Sequence, residues 1–431
     1  MKIKVNARKT INYLIETALI IVLLISFNSV YLREWDGAQL VNTTKIWFVA
    51  MMFLGMYCAV NIEHVIKLLK KMCVLQTFVL YYALYFLVFL FVDKYGSSST
   101  TYFRFYGLFF PVALLFFFTK GEKKTETLRH ISDVIYVLMI ISSVIWLLGP
   151  VMGVIPTTKA RLVYWGQYRY YESYLGLLFT YYRGTMHVFG REVLKNISIF
   201  TEAPMSGMIF TLGFVLYLTQ NKIKNKFKVF AFLFCILTTG STTSIILAVL
   251  VFVYDSYSDS VIKHFKKMHV RCIAWLIGGS VMLLLGTIFL VLVLQWKSVV
   301  EASSFNNHFS DFFEGLTLIG EYFFKGVGMG SPLNYVNYTS GFVRVLTEGG
   351  ILFFSIYFVS FLAMVKNTKY CGDKRFLLFI GVLFAQFVLV ICQDTLFFLF
   401  LMAYGYSVLF NLQKKNRNRP KRCLIEKTKE G

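Results

Sequence analysis

Long apolar stretches separated by short polar segments occupy most of the sequence. A helix needs about 20 apolar residues to cross roughly 30 Å of hydrocarbon, and twelve stretches approach or reach this length. They are centred on residues 12–30, 46–61, 75–92, 103–119, 134–152, 204–219, 229–239, 242–254, 273–295, 350–365, 376–392 and 395–411. The pattern predicts an all-α integral membrane protein with about 12 transmembrane helices.

The seventh and eighth apolar stretches are short and could together form one kinked helix. Between them lies the polar run Thr238-Thr239-Gly240-Ser241, which is more typical of a tight turn than of a helix interior. Merging the two stretches would reverse the orientation of everything downstream and place the basic C-terminus outside. The interpretation with two separate spans is therefore favoured.

Composition and charge support this topology, since 57% of the 431 residues are hydrophobic and only 15% are charged, with a net charge of +22. Most basic residues fall in segments that are inside if the N-terminus is cytoplasmic, as expected of cytoplasmic loops. We therefore expect one polytopic domain over residues 1–431, both termini in the cytoplasm, and a basic cytoplasmic tail over 412–431. Basic residues spread over many short loops argue against nucleic acid as a partner.

Two of the predicted outer segments, residues 153–203 and 296–349, are much longer than the other connections. Loops longer than about 15 residues are usually functional or disordered. The first is crowded with Tyr, Phe and Trp interleaved with arginines, a composition that suits an ordered and partly buried surface. The second contains FNNHFSDFFEGLTLIGEYFF, whose periodicity predicts a helix on the membrane surface. We expect two large, partly helical extracytoplasmic loops that carry the chemistry.

Arginines in these loops are candidates for binding a phosphate group. The planar guanidinium binds such an anion with two hydrogen bonds at once, and lipid-linked sugars carry pyrophosphate on the outer face of a membrane. An alternative is that the arginines anchor the chain at lipid headgroups or stack on tyrosines. The candidates are Arg161, Arg169, Arg183, Arg191 and Arg344.

A carboxylate follows an arginine at the exit of each long loop. Glu202 follows Arg191 at the predicted start of the sixth span, and Glu348 follows Arg344 by four residues, on the same helical face. Such pairs are often only salt bridges. Even so, glycosyl transfer from a pyrophosphate donor needs one group that stabilises the departing anion and another that accepts the proton of the acceptor hydroxyl.

The stretch GVGMGSPLNY places Gly326, Gly328 and Gly330 two residues apart. This spacing lets the backbone approach a phosphate closely through its N–H groups, or simply forms a turn that returns the chain to the tenth span. It departs from the dinucleotide-binding fingerprint, because Ser331 occupies the third glycine position and no βαβ unit surrounds it. A nucleotide loop is therefore not expected.

Several of these motifs together resemble the O-antigen and capsular polysaccharide polymerases of bacteria (the Wzy type), which are related to O-antigen ligases. The resemblance spans roughly residues 100–411 and rests on the layout of spans and loops and on four motifs. These are REVLKNISIFTEAPMSG, LTTGSTTS, LTLIGEYFFKGVGMGS and SGFVRVLTEGGILFF.

This resemblance implies an enzyme of the cytoplasmic membrane that acts on its outer face. It would transfer a growing glycan from undecaprenyl pyrophosphate to the next lipid-linked oligosaccharide repeat, without metal, nucleotide or other cofactor. Arg191 and Arg344 would handle the pyrophosphate. The expected partners are the lipid-linked oligosaccharide, membrane lipids, chain-length regulators and flippases, and the products are O-antigen, capsule or exopolysaccharide.

Members of the resembled family and their ligase relatives often carry a His-Asn pair shortly before the tenth span, but this chain has no histidine between residues 309 and 431. The identity of the catalytic base therefore stays open among four residues. The candidates are Glu348, Glu202, His187 and His308, the last of which could instead bind substrate. Asp394 is expected to be an interhelical hydrogen-bonding group.

Two other functions use much of the same layout. A ligase would transfer the finished glycan to a terminal acceptor, and only its product distinguishes it from a polymerase. A flippase or exporter of lipid-linked oligosaccharide would be expected to show internal repeats and charged groups at mid-membrane, whereas the predicted spans here are almost purely apolar.

Overall fold

A computed structural model describes residues 2–36, 39–40, 42–165, 167–182, 184–188, 191–221, 224–264, 302–331, 340–371 and 376–409. The described chain is mostly helical, with short strands between some of the helices. The helices are α1 (Lys2–Ile25), α2 (Val30–Arg33), α3 (Thr43–Val60), α4 (Ile62–Leu69), α5 (Met72–Phe91), α6 (Ser98–Tyr102), α7 (Phe110–Lys120), α8 (Lys124–Trp146), α9 (Ala203–Gln220), α10 (Lys226–Thr238), α11 (Thr242–His264), α12 (Ala302–Glu321), α13 (Gly341–Cys371), α14 (Phe376–Leu389) and α15 (Leu396–Val408). Two π-helical segments, Phe103–Phe109 and Leu147–Val151, adjoin α7 and α8.

Each predicted apolar stretch within the described residues coincides with a helical segment. The ninth stretch, residues 273–295, and the basic tail, residues 412–431, lie outside the described residues. The predicted turn between the seventh and eighth stretches is confirmed, since α10 ends at Thr238 and α11 begins at Thr242. Gly240 makes this turn with a φ of 59°, a left-handed conformation that glycine adopts readily.

Five helical segments of the described chain are long and apolar enough to cross a membrane. Large apolar side chains stand exposed on them, including Phe48 at 63% and Leu90 at 71%. Such extensive apolar surface suits contact with lipid, as expected of a membrane protein. The five segments are Thr43–Val60, Met72–Phe91, Ser98–Val151, Ala203–Gln220 and Gly341–Thr368.

Helix α9 lies at the centre of the helical body, and nearly all its residues are buried. A helix that is apolar on every side suits this position. Small residues let its neighbours approach closely: a Cβ on Gly213 would lie 2.5 Å from the Ile135 side chain of α8. Gln386 of α14 donates a hydrogen bond of 2.9 Å to the carbonyl of Met208. Interhelical bonds of this kind stabilise helix packing where water is absent.

The prediction that the first long loop is partly helical was wrong, because its described residues between Met152 and Glu202 contain five strands and no helix. Aromatic and β-branched residues in alternation favour extended backbone over helix. Before this loop, β1 (Trp35–Asp36) and β2 (Gln39–Leu40) pair in antiparallel orientation. The strands of the loop are β3 (Arg161–Trp165), β4 (Gln167–Tyr174), β5 (Leu178–Thr180), β6 (Thr185–Val188) and β7 (Arg191–Leu194). Strands β3, β4 and β5 form one antiparallel sheet, and β6 and β7 form an antiparallel pair.

The second long loop contains the predicted helix, α12. It packs on α13 through Gly315, where an added Cβ would lie 2.3 Å from a methyl carbon of Val343. The expectation of helix in this loop is therefore confirmed for its described part.

Long-range contacts gather the loops at one end of the helical body, which we call the loop end. Tyr95 donates its backbone N–H to the carbonyl of Met329 over 2.9 Å. The side-chain amide of Asn28 donates to the carbonyl of Ile391 over 3.0 Å. The loop end comprises residues 28–36, 93–98, 322–331, 340–348 and 390–395, together with the described residues of 153–202.

Candidate functional site

Helix α13 is broken at Gly350, whose φ of 60° and ψ of −159° are not helical. The break leaves backbone groups on either side without helical partners, and residues 323–328 supply them. The N–H of Ile351 donates to the carbonyl of Phe323 over 2.8 Å. On the other side, the carbonyl of Thr347 accepts from the N–H of Val327 over 2.8 Å. Hydrogen bonds therefore connect the segment that contains the glycine run to both sides of the break in α13.

Each glycine of the run lies where a side chain would collide with neighbouring chain. A Cβ on Gly326 would lie 2.5 Å from the carbonyl carbon of Glu348. A Cβ on Gly328 would lie 2.5 Å from the Tyr95 ring, and one on Gly330 would lie 2.8 Å from Ser98. All three glycines have positive φ, a backbone conformation that disfavours other residues. Together with the lack of space, this conformation excludes a side chain at these positions.

The backbone N–H groups of this run already have acceptors within the protein. Those of Gly326 and Gly328 donate to the carbonyls of Tyr322 and Glu348, at 2.9 and 3.0 Å. The N–H of Gly330 lies within reach of the Glu348 carboxylate. A phosphate would have to displace these bonds, so the arrangement favours the turn over direct phosphate binding by these amides.

Arg344 is the centre of an ion-pair cluster at the start of α13. Its Nε donates to Oε1 of Glu348 over 3.0 Å, as the spacing of four residues predicts. Its Nη2 lies 3.3 Å from Oδ2 of Asp394, which follows α14. The Glu348 side chain is only 6% exposed, whereas that of Asp394 is 35% exposed. The cluster thus contains one buried carboxylate and one that solvent reaches.

Asp394 lies in the short connection between α14 and α15, and several bonds fix this connection. The Gln393 side chain donates to Oδ2 of Asp394 over 3.1 Å. The N–H of Gly341 donates to the carbonyl of Val390 over 3.1 Å, which ties the start of α13 to the end of α14. From the sequence, Asp394 was expected only to form an interhelical hydrogen bond. The sequence feature that could have pointed to Asp394 is the polar tetrapeptide CQDT between two apolar helices.

Arg33 is a second arginine of this region that sequence analysis missed. It ends the short helix α2, and its Nη2 donates to Oδ1 of Asn28 over 2.8 Å. Its guanidinium carbon lies 5.2 Å from the centre of the Trp165 ring. Burial, together with the nearby charge of Arg344, lowers the pKa of Arg33 to about 10, so it remains a cation at neutral pH.

Glu202 pairs with Arg169 and not with Arg191, which corrects the pairing expected from sequence. The Nη1 of Arg169 donates to Oε1 of Glu202 over 2.8 Å. Side chains alternate between the faces of a strand, and along β4 Arg169 shares the more buried face with Tyr171. The Tyr171 hydroxyl donates to the carbonyl of Thr201 over 2.7 Å and thereby holds the start of α9 against the sheet.

Arg161 also forms an ion pair, with Glu34, at 2.5 Å. Its guanidinium carbon lies 4.9 Å from the centre of the Tyr31 ring. Tyr31 is one of two polar residues, with Asn42, that line an otherwise apolar cavity of about 470 Å³ between α1, α3 and α8. The cavity is lined by Ile21, Leu24, Ile25, Tyr31, Asn42, Ile46, Val134, Leu138, Leu177 and Ile199.

None of the remaining candidates whose side chains the structure describes is brought into the Arg344 cluster. Arg191 is exposed at the tip of the β6–β7 hairpin, where it lies opposite Val188. Arg183 lies outside the described residues. His187 belongs to β6 and His308 to α12, but the side chains of both lie outside what the structure describes. The structure therefore leaves Arg344 with Glu348, Arg169 with Glu202, and Arg161 with Glu34.

No group of three or more His, Cys, Asp and Glu side chains with the proximity needed to hold a metal ion occurs within the described residues. No protein-family model matches the sequence, and neither a curated protein nor a solved structure matches it significantly.

Proposed function

We propose that this protein is a polysaccharide polymerase that joins lipid-linked oligosaccharide repeat units at the outer face of the cytoplasmic membrane. The observation that carries the proposal is the cluster of Arg344, Glu348 and Asp394, which combines a cation with a solvent-accessible carboxylate. This cluster lies at the loop end of an apolar helical body. The resemblance of the motifs around Arg344 to glycan polymerases supplies the substrate class.

Arg344 is the proposed stabiliser of the leaving pyrophosphate. Its guanidinium is held by Glu348, and its side chain remains 23% exposed, so an anion can approach it. A donor that is fixed in place before the reaction stabilises developing negative charge most effectively. The break at Gly350 contributes by fixing the half-helix that carries both Arg344 and Glu348.

Asp394 is the proposed acceptor of the proton, because it is the more exposed carboxylate of the cluster. The acceptor hydroxyl oxygen attacks the anomeric carbon of the donor sugar. The bond from that carbon to the pyrophosphate oxygen breaks, and its electron pair leaves with the pyrophosphate. The hydroxyl proton passes to Asp394, and the products are a longer glycan and polyprenyl pyrophosphate.

The apolar cavity offers a place for part of the lipid carrier. Its walls are aliphatic apart from Tyr31 and Asn42, and the Tyr31 ring contacts the guanidinium of Arg161, which is paired with Glu34. An isoprenoid chain with a charged head needs an apolar surface that leads to such polar groups. This pairing of features supports a lipid-linked substrate over a soluble sugar donor.

Deletion of the gene in its host tests the proposal. The lipid-linked glycans are extracted, sized by gel and mass spectrometry, and assigned to one leaflet by their access to an impermeant periodate reagent. A polymerase predicts single repeat units that accumulate on the outer leaflet. Single repeats confined to the inner leaflet would indicate a flippase, and complete polymer still attached to its lipid would indicate a ligase.

A further inference from the structure

The proposed function assigns one arginine to the leaving group, although a pyrophosphate diester carries two negative charges at neutral pH. Arg344 is already shared between Glu348 and Asp394. These two carboxylates offset its positive charge. To hold a pyrophosphate, the site therefore needs a further cation next to Arg344, and we look for it among the described residues.

Arg33 is such a cation, and its surroundings differ from those of Arg344. Among the described residues, no carboxylate lies within ion-pair distance of it, and its buried Nε has no hydrogen-bond partner. Its charged neighbours are Arg344 and Asp394. Two guanidinium groups placed close together repel each other, and an anion that contacts both removes this repulsion.

The position of Arg33 is fixed from two sides. Asn28 accepts a hydrogen bond from its Nη2 and donates to the carbonyl of Ile391, close to Asp394. Trp165 of β3 stacks on the guanidinium from the first long loop. Arg33 is therefore held at the junction of α2, the β3–β5 sheet and the connection that carries Asp394. A cation restrained in this way loses little side-chain entropy when it binds an anion.

We propose that Arg33 and Arg344 together bind the pyrophosphate of the polyprenyl-linked substrate, one arginine on each side. This inference rests on the proposed function, because that function supplies the pyrophosphate. It adds that the site selects a pyrophosphate over a monophosphate, since one phosphate group has fewer oxygens with which to reach both arginines.

Binding of farnesyl pyrophosphate and farnesyl monophosphate to the purified full-length protein tests the pair. The variants are Arg33→Gln and Arg33→Lys, and the control is Arg129→Gln, an exposed arginine that donates to Asn221 outside this cluster. Arg33→Gln should weaken pyrophosphate binding by about 10- to 100-fold, the loss expected for a charged hydrogen bond, and monophosphate binding much less. Arg33→Lys should give an intermediate affinity, because it keeps the charge and loses the planar fork.

Each outcome separates this inference from the proposed function. If the wild-type protein fails to bind farnesyl pyrophosphate, the proposed function is contradicted. If the wild type binds it and Arg33→Gln binds it equally well, only the role of Arg33 is overturned. Equal losses for monophosphate and pyrophosphate would also overturn that role. Should Arg33→Gln fail to fold, wild-type affinity in a folded Arg33→Lys protein would overturn it as well.

Discussion

Nη2 of Arg344 lies 3.3 Å from Oδ2 of Asp394. This contact joins the start of α13, at the end of the second long loop, to the connection between α14 and α15. Arg344 therefore has a local partner in Glu348, four residues away, and a distant one in Asp394. The local pair orients the guanidinium, and the distant one brings an accessible carboxylate next to it.

Replacement of Arg344 by Ala should lower polymer synthesis by about 100-fold or more, because it removes the group that stabilises the leaving pyrophosphate. Polymer is measured in a deletion strain that expresses the variant, after normalisation to the amount of protein in the membrane. The matched control is Arg129→Ala, which removes an exposed arginine outside the cluster and should leave synthesis unchanged. Wild-type polymer levels in Arg344→Ala cells would refute the role of this arginine.

Asp394 and Glu348 should respond differently to loss of charge. Asp394→Asn removes the proposed proton acceptor and should reduce turnover by about 100-fold or more, with little change in substrate affinity. Glu348→Gln leaves Asp394, the proposed proton acceptor, in place. It weakens the bond that orients Arg344, so it should raise KM as well. Steady-state kinetics on purified variants separates the two patterns. Identical effects on turnover and KM would mean that both carboxylates serve only to hold Arg344.

The glycine run should be sensitive to the smallest side chain. Gly326→Ala places a Cβ against the backbone of Glu348 in a left-handed conformation, and we expect a loss of more than about 2 kcal/mol in stability. Gly320→Ala is the matched control, because open space surrounds Gly320 within α12. This control should be neutral or stabilise by up to about 1 kcal/mol. Thermal unfolding in detergent measures both, and equal stability of the two variants would contradict the close packing.

Asn28 offers a test that separates backbone strain from side-chain bonds. Its φ is 50°, a left-handed value that Asn tolerates better than most residues. Asn28→Gly and Asn28→Ala both remove the bonds to Arg33 and Ile391, so both should lower polymer synthesis to a similar extent. Only the Ala variant adds the left-handed strain, and it should be less stable than the Gly variant by about 1–2 kcal/mol. If Asn28→Ala proves as stable as Asn28→Gly, the left-handed backbone at residue 28 does not strain the alanine variant and this explanation is wrong.

Much of the fold could be predicted because the helices follow a local rule. Apolar runs long enough to cross a membrane became helices wherever the structure describes them, and the polar turn at Gly240 separates two of them. The pair of Arg344 and Glu348 was also predictable, because it depends only on the spacing of four residues along one helix.

Other parts of the site depend on contacts between distant segments, which no local pattern contains. Arg33 lies just after the first apolar stretch and Asp394 between the last two, and only the packed helices bring them near Arg344. The partner of Glu202 was also predicted incorrectly, because Arg169 reaches it from a strand of the first long loop. Residues Tyr168 to Tyr171 alternate between the faces of a strand, and this period of two directs Arg169 inward.

Reconstitution of the purified protein shows whether it joins lipid-linked repeat units by itself. Purified protein in liposomes is supplied with a single lipid-linked repeat unit and no soluble sugar donor, and the products are separated by size while released polyprenyl pyrophosphate is measured. A polymerase should produce a ladder of longer glycans, with one polyprenyl pyrophosphate released for each bond formed, and the Arg344→Ala variant should produce neither. Repeat units that stay single in the presence of folded wild-type protein would contradict it.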